Sequence, residues 1–388
     1  MPPNKPSSDL PSLIDLTTST STLLTHFHAS LAPPPTVTSS SSPHPATTTS
    51  TTTPVTPSTP TPLALLADTA ALLKAHTTKL SLLLLNDPFT PSAIASVLRD
   101  MADRVVPAMM AGAEAVSGQQ QQSSFLFPAV VVREVRARVR RIVGAVAEEV
   151  GEVRGRAVAE AEAKAKAEGG KGKKGKVEGN GGRGALSSTG LVWEACDALV
   201  EVKEKGVVGV VVGQVEGWRG MVVDAVEELK EWGEEGEDED DDEEDGLDGS
   251  GDEDEDDIFG GGGGGDKLGK GNEELRAQLD ATLKKVKTIT VLYQALVKRR
   301  LKTYPAGGSD ASAVETLDRL LDILQRIPDS VDDMASAYYD LDGEEAKKAF
   351  AKISADAVRA SDLVKQSWDG KDDEFTTWAG RFQDAIKA

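Results

Sequence analysis

The stretch whose reading decides the fold runs from Val211 to Trp232, VVGQVEGWRGMVVDAVEELKEW. Its apolar residues Val211, Val215, Trp218, Val222, Ala225, Leu229 and Trp232 recur at alternating steps of four and three. That alternation places them on one stripe of an α-helix, whereas a half-buried strand needs every second residue. The β-branched run Val207–Val212 just upstream suggests a strand, but the stripe continues in phase with no turn signal between. Gly209, Gly213, Gly217 and Gly220 lower the helix propensity and are read as permitting close helix approach.

The same rule extends outward in both directions. Val135, Val139, Ile142, Val146, Val150, Val153 and Ala157 stay in register through a segment from about Phe125 to Ala167. Pro128 sits near its start, where a missing N–H does no harm. Leu66, Leu73, Leu80 and Leu84 mark an earlier helix that Asn86-Asp87-Pro88 ends. Thr90-Pro91 restarts the chain, Ile94, Val97, Met101 and Val105 line the next helix, and Pro107 is expected to kink or split it. Ser187 to Lys205 supplies another, with Ser188 or Thr189 as its cap.

Toward the C-terminus, Asn272–Thr303 is helical and basic at its end (Lys298, Arg299, Arg300, Lys302), which suits the helix dipole. Val314, Leu317, Leu321 and Leu324 form a further stripe. Ile327, Val331, Met334, Tyr338 and Leu341 form another, with Pro328 expected at a helix start. Phe350, Ile353, Ala357, Ala360 and Val364 precede a last group, Phe375, Trp378 and Phe382. None of these segments is apolar all round, so each must bury one face against neighbours. The expected fold is all-α, with two antiparallel helical bundles.

The 388 residues are 39% apolar and only 4% aromatic, which argues against a large β-rich enzyme. No run approaches the roughly eighteen apolar residues of a membrane span. The opening MPPNKPSSDLPSLIDL lacks the layout of a secretory signal. A single cysteine, Cys196, excludes an internal disulfide framework and fits a reducing compartment. These features indicate a soluble intracellular protein.

The net charge of −21 is concentrated. Between Glu234 and Asp257 lie eighteen Asp or Glu and no Lys or Arg, so the rest of the chain carries only −3. So dense a block repels itself and stays solvated. With Gly260 to Gly265 it reads as a flexible linker, or alternatively as a docking surface for a basic protein. Pro33 to Pro62 holds 26 Ser, Thr or Pro in 30 residues, with Thr-Pro pairs at Thr53, Thr56, Thr59 and Thr61 open to proline-directed phosphorylation. A third break, GGKGKKGKVEGNGGRG at 169–184, makes a local charge of +5 over Lys164–Arg183 and reads as a loop joining two helices. The expected layout is a disordered region at 1–61 and a helical bundle at 62–232 with a basic insert at 164–185. An acidic, Gly-rich linker at 233–271 and a second bundle at 272–388 complete it.

Candidate sites for chemistry fail on inspection. Gly264, Gly269, Lys270 and Gly271 approach a phosphate loop, but Gly271 stands where Ser or Thr must hold magnesium. Asp241, Glu243, Asp245, Gly246 and Asp252 imitate a calcium loop without its bidentate Glu. Cys196 sits beside Glu194 and Asp197, which raise a thiol pKa, so it reads as a small packed side chain. His26 and His28 lie in a Ser/Thr-rich segment without further ligands, and His76 sits on a helix near Lys79. Arg133, Arg136 and Arg140, with Arg138 and Arg141 beside them, lack aromatic stacking partners for nucleic acid and read as the solvated side of an amphipathic helix. No catalytic, cofactor or metal site is expected.

Two strings carry a resemblance. His76-Thr77-Thr78-Lys79-Leu80-Ser81-Leu82 and the run LSSTGLVWEACDAL from Leu186 to Leu199 resemble the cyclin-D-binding protein family, the Grap2- and cyclin-D-interacting proteins. The organisation from about 62 to 388 agrees with that family. The resemblance implies bundles similar to those of talin and vinculin, no enzymatic role, and action through protein–protein contact as a nuclear and cytoplasmic regulator of cell-cycle progression. The partner it implies is a cyclin or transcriptional regulator, with neither specific nucleic acid nor membrane. It assigns no contact residues. A talin-like cytoskeletal adaptor and an acidic histone or ribosomal-protein chaperone are the alternatives. The Thr/Pro-rich head, the basic insert and the length of the acidic run depart from the family.

Overall fold

The computed structural model describes residues 9–33, 61–118, 126–169, 181–238, 268, 272–305 and 310–387. The Thr-Pro tract, most of the basic insert and the acidic run, the glycine string, and the phosphate-loop and calcium-loop imitations lie outside them. The helices are α1 (Asp9–Ser30), α2 (Pro62–Leu85), α3 (Pro91–Asp100), α4 (Val106–Val116), α5 (Ala129–Gly169) and α6 (Gly181–Asp238). They continue with α7 (Glu273–Leu296), α8 (Ala311–Tyr339), α9 (Gly343–Leu363) and α10 (Glu374–Lys387). No strand occurs among the described residues, and no helix there is long and apolar enough to cross a membrane.

The chain divides into two units, residues 1–207 with 307–310, and residues 208–306 with 311–388. The division falls not at the acidic run, as the sequence suggests, but inside α6, next to Gly206, whose φ of 62° and ψ of −175° interrupt the helix. Only glycine adopts that conformation without strain. Val208–Trp232, expected in the first bundle, therefore belongs with the second unit.

In the first unit the stripe from Val135 to Ala157 is buried throughout. Here α1 overturns an expectation, since part of the supposed disordered head is a 22-residue helix packed on α5 and α3. Leu13, Thr17, Thr20 and Leu24 are its buried face. Several of its hydroxyls, though not that of buried Thr20, return into the helix: Thr17 donates to the Ile14 carbonyl at 2.7 Å, Thr22 to Thr18 at 3.1 Å and Thr25 to Ser21 at 2.9 Å. Such back-bonding lets a Ser/Thr-rich sequence hide its polarity. Pro107 does not split its helix. A single π-helical turn at Met101–Val105, closed by the Val106 N–H on the Met101 carbonyl, absorbs it between α3 and α4. Gly112 is a position where a side chain is excluded, because a Cβ there would lie 2.8 Å from Leu66 Cδ2.

In the second unit α8 and α9 form a hairpin. Asp342 caps α9 by accepting the Glu345 N–H at 2.9 Å, an Asp-x-x-Glu start signal. Gly213, Gly217 and Gly220, read as allowing close approach, have nothing within 4 Å of an added Cβ; they face open space. Arg300, expected to serve the helix dipole, is buried in a second π-helical turn at Val297–Leu301. Its Nε donates to the Val364 carbonyl at 2.6 Å, one Nη to Lys365 at 2.8 Å, and both Nη groups reach Asp373 at 2.7 and 2.9 Å. The guanidinium lies 4.4 Å from the Phe375 ring centroid. It thereby ties the end of α7 to the connection between α9 and α10. The same hydrogen bonds hold the Asp373 carboxyl at about 2, below the usual carboxylate range.

Pro328 does not start a helix; it lies inside α8. A proline there cannot donate to the carbonyl four residues back, which is that of Leu324. The buried Tyr293 hydroxyl on α7 donates to that carbonyl at 2.7 Å and so replaces the missing bond. Tyr293→Phe should destabilise the second unit by about 1–3 kcal/mol, because it leaves a buried carbonyl without this donor. In a Pro328→Ala background, where the backbone can donate again, the loss should shrink; chemical-denaturation midpoints of the four variants measure the coupling.

Candidate protein-interaction surface

The two strings that carry the family resemblance lie on α2 and the first part of α6. Side-chain pairings fix how these helices and α5 run. On α5, Arg138 donates to the Ala198 carbonyl at 2.8 Å, Arg141 pairs with Glu194 at 2.6 Å, and Glu149 accepts from Thr189 at 3.3 Å. Residue numbers fall on one helix as they rise on the other, so α5 and α6 are antiparallel. On α2, Lys74 pairs with Asp197 at 2.6 Å and sits 5.6 Å from the Trp193 ring centroid. Just beyond α2, Asp87 lies 3.9 Å from Arg156, whose guanidinium is also 5.8 Å from the Phe89 ring. Thus α2 runs parallel to α5 and antiparallel to α6.

That arrangement brings the end of α2 level with the beginning of the described side chains of α6. Leu82 and Leu85 on α2, and Leu186 and Trp193 on α6, are 54%, 41%, 56% and 40% exposed. Leu186 and Trp193 are seven residues apart and share one side of α6. These four exposed apolar side chains lie on the two helices that the Lys74–Asp197 pair holds side by side, the α2–α6 seam. Large exposed apolar side chains gathered in one place mark a contact surface more often than isolated ones do.

Beneath the seam the interior is polar at one point. Ser188 and Thr189, expected as helix caps, are instead buried inside α6. Glu149 is only 1% exposed, and its Oε2 has no hydrogen-bond partner among the described residues. Burial pushes its carboxyl up to about 7, against the opposing Thr189 bond. Cys196 is buried, as a packed thiol should be. Burial is the main force raising its pKa to about 12, Lys74 opposes it, and Asp197 and Glu149 add smaller contributions. The carboxylates singled out from the sequence are therefore secondary. Among the described residues no three His, Cys, Asp or Glu side chains are grouped to hold a metal ion.

The remaining residues singled out in the sequence do not converge. His26 is exposed and His76 half-buried. His28 lies over α5, its ring 3.8 Å from where a Cβ at Gly144 would stand. The arginines of α5 are not a solvated face. Arg136 donates to the Ser30 carbonyl at 2.7 Å and Arg140 to the His28 carbonyl at 3.3 Å, closing carbonyls left open at the end of α1. Arg138 and Arg141 hold α6, and Arg133 alone of the five is simply exposed. Glu149 was legible in principle: it stands three residues after Val146 and four before Val153, in phase with the core stripe.

Residues 65–235 match the family model described as Grap2 and cyclin-D-interacting, N-terminal. The resemblance to the cyclin-D-binding family is shown over that segment. The match contains both strings and the whole α2–α6 seam, and it runs past Gly206. It leaves out α1. The chain is also 23% identical, over 328 residues and 83% of each chain, to an uncharacterized protein of Schizosaccharomyces pombe.

Glu149 supplies a pH test of this interior. A carboxyl with a folded pKa near 7 and an unfolded value near 4.5 binds its proton more tightly when folded. Its contribution to stability is therefore most favourable below about pH 4.5 and falls as pH rises toward and past 7. Glu149→Gln should remove that slope and stabilise the first unit by about 3 kcal/mol at pH 8, with little change at pH 4.5. Denaturation midpoints of both proteins across that pH range check it.

Proposed function

We propose that this chain is a non-enzymatic interaction protein that regulates cell-cycle progression by binding a cyclin of the D type. The observation that carries the reading is the family match over residues 65–235, with the four exposed apolar side chains of α2 and α6 lying inside it. Trp193 is the natural anchor: a large ring, held by the Lys74 cation, with four-tenths of its surface free. Aromatic side chains at the centre of an apolar patch supply most of the energy of many protein contacts. The two helices suit an amphipathic helix laid along the seam, its apolar face on Leu82, Leu85, Leu186 and Trp193.

The reading places the protein in the cytoplasm and nucleus, where such partners are found. Its helical units act as a talin-like scaffold, and the acidic run acts as a solvated linker. A cytoskeletal adaptor would use whole bundle faces against filaments, and an acidic chaperone would rely on the Glu234–Asp257 run; neither needs an exposed Trp193.

A purified D-type cyclin titrated with the full chain should show saturable binding by calorimetry. Trp193→Ala should weaken that binding by at least tenfold while leaving the helical circular-dichroism signal intact. Absence of cyclin binding, together with co-sedimentation on actin filaments, would replace this reading with the adaptor.

A further inference from the structure

Outside the family-matched segment, the second unit carries a groove between α7 and α10. Two adjoining hollows of about 350 and 410 Å³ share Trp378 and Arg381 as a common wall. Trp378 stacks on Phe382 at 5.4 Å with 15° between planes, and lies 5.4 Å from the Phe375 ring. With Val291, which is 46% exposed, these rings make a fixed apolar floor. The rim is cationic. Residues 281–305 contain seven Lys or Arg and no Asp or Glu. Of these, Arg300 is committed to Asp373, and Arg299 pairs with Glu374 at 2.6 Å. Lys287 on α7, Lys298 on the π-helical turn that follows it and Arg381 on α10 line the hollows and form no ion pair with any described residue.

An apolar floor inside a ring of cations fits an acidic segment that ends in an apolar anchor, and the chain contains one. Six consecutive acidic residues, Asp252 to Asp257, are followed directly by Ile258 and Phe259. The next described residue is Leu268, which is buried and whose carbonyl accepts from Arg276 Nη2 at 2.9 Å. Eight residues separate Phe259 from that anchor, and the nine steps between them reach about 30 Å at most. Lys287 and Val291 lie eleven and fifteen residues along α7 from Arg276, about 17 and 23 Å away. The tether is long enough.

We infer that the acidic segment ending in Ile258-Phe259 docks in the α7–α10 groove of its own chain. Its carboxylates meet Lys287, Lys298 and Arg381, and its aromatic ring covers the Trp378 floor. Tethering at Leu268 makes the encounter intramolecular, so weak individual contacts suffice. An acidic segment from another protein would have to displace this one.

Zero-length carbodiimide cross-linking of the full chain, mixed equally from unlabelled and nitrogen-15 protein and read by mass spectrometry, tests it. Links from residues 252–257 should concentrate on Lys287 and Lys298, within single chains only. Arg381→Glu, and separately Ile258→Ser with Phe259→Ser, should lower their yield at least fivefold without altering helicity; 1 M salt should do the same. Links directed to the lysines at 171–176, links between labelled and unlabelled chains, or yields unchanged in these variants would each overturn the assignment.

Discussion

A helix that is apolar along a single stripe has to be covered by neighbours, and α6 has to be covered twice. Up to Gly206 its buried apolar residues are Val192, Ala195, Cys196, Leu199 and Val202; beyond it they are Val211, Val215, Trp218, Val222, Val226 and Leu229. One straight rod would commit both sets to a single core. Gly206, at φ 62° and ψ −175°, separates them, and an added Cβ there would meet nothing within 4 Å. The requirement for glycine is thus conformational rather than spatial. It lets one long helical sequence contribute its first part to one unit and its second part to the other.

Glu149 in the first unit and Arg300 in the second are each 1% exposed, and the two are treated in opposite ways. Arg300 is met by three backbone carbonyls, a carboxylate and an aromatic ring, so its burial joins the end of α7 to the start of α10. Removing it would leave those acceptors without their donor in the interior. Glu149 accepts one 3.3 Å bond and its second oxygen has no such partner. A carboxyl so placed favours its neutral form, which is why its pKa approaches neutrality. The unit beneath the α2–α6 seam therefore carries a built-in weakness near physiological pH, whereas the other is fastened by its charge.

Much of the fold was legible because spacing alone carries it. The stripe from Val135 to Ala157, the leucines at 66, 73 and 80, and the ladder Phe375, Trp378, Phe382 fall where periodicity puts them. What escaped has identifiable causes. Helix α1 is rich in Thr and Ser, several of whose hydroxyls bond their own backbone, so composition concealed a buried face at Leu13 and Leu24. With α1 unseen, Arg136 and Arg140 had no visible target. Pro328 looked like a start because the tyrosine that completes its helix stands 35 residues upstream. The boundary at Gly206 was masked by other glycines nearby that turn out to sit in ordinary helix. Of the candidate surface, the strings themselves were visible; that the helices carrying Leu82, Leu85, Leu186 and Trp193 run side by side needed the pairings of Lys74 and Arg156.

Helix α6 belongs to two cooperative units that divide at Gly206. Native-state hydrogen exchange along α6 in the full chain tests it directly, because amides of one cooperative unit share one opening free energy. Amides of residues 192–204 should follow the slowest amides of α5, those of residues 211–229 should follow α7 and α8, and a step should separate the two sets. A single opening free energy running unbroken from Val192 to Leu229, unchanged when Tyr293→Phe weakens the second unit, would contradict the account.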